Sequence, residues 1–128
     1  MRALLVGALA LAACASPGPG PYPETLYQAG FDAAIAEAVA ARCPAYALNT
    51  AARDAYIAQT QQALREDGVS EAQLEAWAQL LPTLRLELDL ADYLDARGIV
   101  VDEPRTFCAA GAAEIAAGTN VGRLLRQV

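Results

Sequence analysis

The amino-acid sequence predicts an all-α domain, a small bundle of five to six short helices stapled by one disulfide. Of the 128 residues, 31 are Ala, the residue with the highest helix propensity. Apolar residues also recur at helical spacing in several segments that Gly and Pro separate. Because Ala buries little surface, we expect thin helices that pack closely around a modest core.

The first helix is predicted over residues 30–43. Phe31, Ile35 and Val39 recur every four residues, which is the spacing of one helical face. Pro44 restricts the residue before it to extended conformations and so ends the helix.

Capping residues mark the starts of the second and third helices. Asn49 or Thr50 can cap a second helix that runs to Asp67. Ser70 and Gln73 have the spacing of a capping box, so a third helix is expected from residue 71, with Trp77 as its anchor in the core.

The fourth helix is predicted from a segment that also resembles a strand. Residues 84–90 alternate Leu with polar residues, as a strand does. They contain strong helix formers and no β-branched residue. We therefore favour a helix whose inner face carries Leu84, Leu88, Leu90 and Leu94.

The fifth helix is expected from Pro104 to Gly118, because acidic residues followed by Pro are typical of a helix start and Gly of a helix end. Gly111 on its inner face would let another backbone approach closely. A last short helix is expected after Thr119 or Asn120, with three apolar residues inside: Val121, Leu124 and Leu125. No sheet is predicted.

The N-terminus resembles the export signal of a bacterial lipoprotein. After Met1 and Arg2, the apolar run over residues 3–13 is too short to span a hydrocarbon core of ~30 Å. Residues 11–14 read Leu-Ala-Ala-Cys, which resembles a lipobox, so residues 1–13 are predicted to be removed and Cys14 to be lipidated. Ala15 favours the outer membrane as the destination. An ordinary signal peptide is the alternative, and it would leave a soluble periplasmic protein.

The segment after Cys14 is predicted to be a tether. Pro occupies every second position from Pro17 to Pro23, which excludes a helix. In polyproline II geometry, nine such residues would span about 28 Å. We expect residues 14–29 to tether a helical domain over residues 30–128.

Composition excludes several classes of function. The mature chain would keep eight Arg and fifteen acidic residues, a net charge of −7, which argues against binding to nucleic acid. There is no His and no Lys, so the commonest general base and metal ligand are missing. We expect no cofactor and no metal.

Two cysteines remain when Cys14 is assigned to lipid. In an oxidising compartment, Cys43 and Cys108 are expected to form a disulfide. The alternative is a pair of buried free thiols, or one catalytic thiol without a His partner.

Carboxylates are the remaining candidates for catalysis. Glu114, in the fifth helix beside Ile115, is a weak site candidate. The simpler interpretation is a carboxylate that accepts hydrogen bonds from Arg123 or from the capping groups of Thr119 and Asn120. The acidic run over residues 87–95 lacks the glycine and oxygen spacing of a calcium loop.

The chain resembles a family of small exported alphaproteobacterial proteins known only as a domain of unknown function. The resemblance covers roughly residues 31–126 and rests on five motifs: Cys43-Pro44, Gly68-Val69-Ser70, Gly98-Ile99, the segment from Cys108 through Gly111 and Glu114 to Ile115, and the segment from Val121 to Arg126. It implies a paired Cys43 and Cys108 and an all-helical domain, and it carries no activity. The lipobox is not a feature of that family at large.

Two classes of function follow from these features. The first is a lipid-anchored envelope protein on the periplasmic face of the outer membrane, a binding or structural module with an envelope protein as its partner. The second is a carboxylate-only enzyme that acts on envelope glycan.

Overall fold

The computed structural model describes residues 18–128, which form six helices and one small sheet. The elements in order are α1 (Glu24–Arg42), β1 (Tyr46–Leu48), α2 (Thr50–Glu66), α3 (Glu71–Gln79), α4 (Thr83–Ala96), α5 (Pro104–Ala117), α6 (Asn120–Arg123) and β2 (Leu125–Gln127). The predicted fold class is confirmed. The predicted signal peptide and Cys14 lie outside the described residues.

Helix α1 lies at the centre of the domain. It packs against α2, α4, α5, α6 and β1. Ala33 and Ala36 are buried on it beside Ile35 and Val39, and the small Ala side chains let neighbouring helices approach closely. Helices α1 and α5 pack against each other, and the Cys43–Cys108 disulfide joins them.

Helix α1 begins at Glu24, six residues before the predicted start at Gly30. The four-residue spacing of the inner face extends upstream to Tyr27, which is buried. The guanidinium of Arg85 lies 3.6 Å from the centre of the Tyr27 ring. Packing of this ring against α4 therefore holds the extra turns of α1 in place.

The predicted starts of α2 and α3 are confirmed by their caps. The side chain of Asn49 accepts a hydrogen bond from the backbone N–H of Ala52 at 3.0 Å. Ser70 and Gln73 form a capping box, which satisfies two backbone N–H groups at the start of α3.

Trp77 is buried, but against the N-terminal segment and outside the main core cluster. Its indole N–H donates to the carbonyl of Gly20 at 3.3 Å, and its ring lies 6.5 Å from that of Tyr22. The end of the predicted tether therefore lies against α3. A spacer that extends freely for about 28 Å is wrong for this part of the chain.

Residues 84–90 are helical, as predicted, but the inner face of α4 differs from the prediction. Leu84 and Leu88 are exposed, at 70% and 59% of their surface. The residues that face the domain are half-buried: Leu86, Asp89, Leu90, Tyr93 and Leu94. The helix is amphipathic, as predicted, but Leu84 and Leu88 lie on its exposed side and not on its inner face.

The prediction of no sheet is wrong. Strands β1 and β2 pair antiparallel, with Leu48 opposite Leu125 and Tyr46 opposite Gln127. The last helix is accordingly shorter than predicted and ends at Arg123, although Val121, Leu124 and Leu125 are buried as expected. Pairing with β1 gives the chain after α6 hydrogen bonds that a further helical turn would otherwise supply.

Candidate functional site

A cavity of about 490 Å³ lies where α1, the end of α4, the end of α5 and the start of α6 meet. Most of the residues that line it carry a polar or charged group. The residues that matter for its chemistry are Phe31, Asp32, Tyr93, Arg97, Glu114 and Arg123. The weak candidate from the sequence, Glu114, therefore lies at this cavity.

Glu114 is buried, with 2% of its surface exposed. One carboxylate oxygen pairs with the guanidinium of Arg97 and accepts a hydrogen bond from the Tyr93 hydroxyl at 3.1 Å. The other oxygen accepts from the Thr119 hydroxyl. Of the partners expected from the sequence, Thr119 is present, whereas the arginine is Arg97 and not Arg123.

The turn between α5 and α6 brings these groups together. Gly118 ends α5 in the left-handed conformation, with φ of 65°, and Thr119 then caps α6 by accepting from the N–H of Gly122 at 3.1 Å. A Cβ on Gly122 would lie 2.3 Å from the Glu114 carbonyl oxygen. The close approach predicted at Gly111 is therefore made at Gly122, while the nearest neighbours of Gly111 are side chains.

Asp32 is a second buried carboxylate at the same cavity, with 7% of its surface exposed. One oxygen accepts from the Gln28 amide and the other from the Tyr56 hydroxyl, both at 2.9 Å. The Asn120 amide in turn donates to the Tyr56 oxygen at 3.1 Å. The sequence analysis missed Asp32, although an acidic residue on the inner stripe of a predicted helix was the available signal.

Hydrogen bonds from tyrosine to carboxylate join the helices around this site. Tyr93 on α4 binds Glu114 on α5, and Tyr56 on α2 binds Asp32 on α1. Burial, followed by the hydrogen bond to Asp32, raises the pKa of Tyr56 to about 12. Burial and the charge of Glu114 likewise raise the pKa of Tyr93 well above its usual value. Both hydroxyls therefore keep their protons and remain donors at neutral pH.

The two arginines at the cavity differ. Arg97 pairs with Glu114 and also lies over the Tyr93 ring, at 5.3 Å from its centre. Arg123 is exposed and forms no ion pair with any residue that the structure describes. It is thus a cation at the cavity that remains available to a ligand.

Comparison of the sequence with known families shows which family the chain belongs to. The profile of a family of unknown function matches residues 23–126, which is most of the chain. The chain belongs to this family, DUF5333. The match begins at Pro23, the residue that precedes α1, and so covers all six helices of the DUF5333 domain.

No curated protein and no solved structure matches the chain. The DUF5333 family confirms the resemblance to a domain of unknown function, and it brings no activity with it. The chemistry of the site must therefore be argued from its own residues.

The other two predicted site residues of the DUF5333 domain, Cys43 and Cys108, form a disulfide. Their Cα atoms lie 5.1 Å apart, and Cys43 is fully buried. Neither carries a free thiol for chemistry. Cys14, the predicted lipidation site, precedes the described residues.

Two further findings concern residues 18–128 only. They contain no group of three or more acidic, Cys or His side chains that could hold a metal ion. None of their helices is both long enough and apolar enough to cross a membrane.

Proposed function

We propose that this protein is a lipid-anchored envelope protein on the periplasmic face of the outer membrane, and that it works as a binding module. The lipobox over residues 11–14 and the identity of Ala15 support the anchor and its destination. The resemblance to small exported alphaproteobacterial proteins supports export. Binding is assigned to the cavity at Glu114.

One observation favours binding over catalysis. Every carboxylate oxygen of Glu114 and Asp32 already has a protein partner. A general acid or base must exchange a proton with its substrate at hydrogen-bond distance. Carboxylates whose oxygens are all held by internal donors support the fold and shape the cavity instead.

Arg123 indicates the class of ligand. A guanidinium binds carboxylate and phosphate groups in a bidentate manner, and Arg123 makes no ion pair in the described chain. Phe31 and Tyr93, whose rings meet edge to face at 6.3 Å, provide an aromatic wall in the same cavity. We expect a ligand, or a segment of an envelope protein, that presents an anionic group beside an apolar part.

The anchor is tested by changing Cys14 to Ser. Because the lipidated residue is then missing, the protein should move from the membrane fraction to the soluble periplasm, and incorporation of labelled palmitate should be lost. The matched control is Ala15→Ser, which changes the neighbouring residue and should leave the protein in the membrane fraction. An unchanged membrane fraction for Cys14→Ser would refute the anchor.

The binding site is tested by NMR titration with acetate and inorganic phosphate as probes. The amide signals of Asn120 and Arg123 should shift with either anion, and the shifts should disappear in Arg123→Ala. Arg126→Ala, an exposed arginine of β2 that does not line the cavity, is the control and should behave as the parent. Equal loss in both variants, or no shift in the parent, would contradict the assignment.

The alternative is a carboxylate-only enzyme that acts on envelope glycan. The observation in its favour is that two buried carboxylates, Asp32 and Glu114, lie at one cavity, as in glycosidases. Purified protein would then release soluble fragments from peptidoglycan, and Glu114→Gln would abolish the release while the helical spectrum is retained. No release by the parent protein excludes this alternative.

A further inference from the structure

Four exposed leucines form an apolar ridge on the outside of the domain. Leu80 and Leu81 lie in the connection between α3 and α4, and Leu84 and Leu88 lie one turn apart on α4. Their exposed fractions are 59%, 57%, 70% and 59%. Single exposed leucines are normal, but four within nine residues, two of them one turn apart on α4, indicate an interaction surface. We call these four residues the leucine ridge.

The N-terminal segment of the described chain runs beside this ridge. The carbonyls of Pro19 and Gly20 accept hydrogen bonds from Gln73 and Trp77 of α3, at 3.4 and 3.3 Å. Tyr22 and Leu81 line one small apolar cavity of about 150 Å³. The chain therefore reaches α3 on the side of the domain where the leucine ridge begins.

The predicted lipid attachment point is close to this place. Three residues lie between Cys14 and Gly18, and a fully extended chain spans at most about 3.6 Å per residue, so the four steps allow a reach of at most ~14 Å between lipid attachment and Gly18. If the acyl chains on Cys14 enter the bilayer, the side of the domain formed by α3 and the start of α4 is held at the lipid surface. The four leucines belong to that same side of the domain.

We propose that the leucine ridge contacts the lipid bilayer, so that the domain lies on the membrane surface and does not extend away from it. The inference rests on the proposed lipid anchor. Acyl chains attached to Cys14 bring the domain to the bilayer, and the four leucines enter the boundary between head groups and acyl chains. The contact then fixes which face of the domain, and hence which side of the cavity at Glu114, points into the periplasm.

The charges near the ridge determine the type of lipid. Arg85 is the only basic residue of α4, and both of its terminal nitrogens bind the carboxylate of Glu24, at 2.7 and 2.8 Å. Glu87, three residues after Leu84, is exposed. Asp92 and Asp95, which follow Leu88 on α4, are exposed as well. The surroundings of the ridge are therefore acidic, and zwitterionic phospholipid suits them better than anionic lipid.

The same charges argue against a second copy of the chain as the occupant. Two ridges that pack against each other would bring the exposed acidic residues of two α4 helices, Glu87, Asp92 and Asp95, to one contact. Like charges at an apolar contact are unfavourable. A bilayer of zwitterionic head groups imposes no such repulsion. The lipid surface is thus the occupant that the position of the chain and its charge both favour.

Site-specific photo-crosslinking tests the proposal on the full-length lipoprotein in phosphatidylcholine vesicles. A benzophenone amino acid replaces Leu84 in one variant and Leu88 in a second, so that the failure of one variant to fold leaves the other. The control replaces Ala58, an exposed residue on α2. We expect lipid adducts several-fold more abundant at positions 84 and 88 than at 58, and fewer of them when phosphatidylglycerol replaces part of the phosphatidylcholine.

Each other outcome overturns the proposal. Adducts of doubled mass would assign the ridge to a second copy. When the same variants are crosslinked in intact cells, adducts to another protein would assign the ridge to that partner. Equal lipid adducts at all three positions, or none, would show that the ridge does not face the bilayer. The intact mass of the same sample reports lipid on Cys14: if the lipid is present without ridge adducts, only this inference fails, and if it is missing, the proposed anchor fails as well.

Discussion

Removal of the disulfide should lower the stability of the domain more than any substitution of a surface residue. The bond joins residues 65 apart in the sequence and connects the end of α1 to the first turns of α5. On the chain-entropy model, a loop of this length contributes about 4 kcal/mol. Domains of this size are stable by only ~5 to 15 kcal/mol in total. The bond therefore carries a large part of the stability of a core that is rich in Ala.

The experiment compares the parent protein with Cys43→Ala/Cys108→Ala. At this size, about 4 to 8 °C of thermal midpoint corresponds to 1 kcal/mol. We expect the midpoint, followed by circular dichroism at the helical band, to fall by about 15 °C or more. Chemical denaturation at 25 °C provides the matching change in the free energy of unfolding.

A reduced sample of the parent protein separates the bond from the packing of the sulfur atoms. Cys43 is fully buried, so reduction is carried out in denaturant and the protein is refolded with reductant present. This sample keeps both sulfur atoms and lacks only the bond, and it should melt close to the double Ala variant. The reasoning is refuted if the reduced protein melts within a few degrees of the oxidised one, or if two free thiols titrate in the native protein.

Three further predictions follow from single residues. Gly122→Ala should destabilise the domain by several kcal/mol, because the new Cβ would lie 2.3 Å from a backbone oxygen. The control Gly30→Ala, where a Cβ would have no atom within 4 Å, should stabilise α1 by about 0.5 to 1 kcal/mol. Equal effects of the two substitutions in urea denaturation would contradict the packing of α6. Glu114→Gln should lower the free energy of unfolding by about 1 to 3 kcal/mol in the same assay, because the guanidinium of Arg97 loses the charge of its buried partner. The control Glu37→Gln alters an exposed ion pair and should lower it by less than about 1 kcal/mol. Similar losses in the two variants would show that burial of Glu114 does not matter for stability. Burial and the hydrogen bond to Asp89 raise the pKa of Tyr27 to about 12, against ~10 in the unfolded chain. The contribution of Tyr27 to stability is therefore complete below pH 10 and is lost as the pH rises towards 12. The urea midpoint should fall over that range and should fall less steeply in Tyr27→Phe, and an identical fall in both proteins would contradict the assignment.

Local signals in the sequence predict those features of the fold that depend only on neighbouring residues, such as the ends of the helices. Asn49, Ser70 and Gly118 each act on backbone groups within one turn of themselves, so the ends of α2, α3 and α5 were predictable. The strand-like alternation over residues 84–90 was resolved correctly because helix propensity is also a local property. The start of α1 was missed although Tyr27 continued the visible spacing.

Contacts between distant segments were not predictable in the same way. Strands β1 and β2 have three residues each and lie far apart in the sequence, so no local periodicity reveals their pairing. The partner of Glu114 is a similar case, because an arginine at the end of α4 could not be preferred over Arg123 before the helices were placed. The exposed side of α4 was also misjudged, since every second residue from 84 to 90 is Leu and only packing decides which of them face the core.

The sequence by itself determined the helical fold class, the capped ends of most helices and the two cysteines that form the disulfide, because these depend on propensity, on short-range hydrogen bonds and on the number of cysteines. The lipobox at Cys14 is likewise a property of the sequence alone and stays a prediction. Tertiary structure decided which side chains meet: the carboxylates at the cavity with their tyrosine and arginine partners, the exposed Arg123 at the same cavity and the leucine ridge. These features arise when segments far apart in the chain pack against α1, and the free energy of that packing is set by three-dimensional contacts that no short stretch of sequence contains.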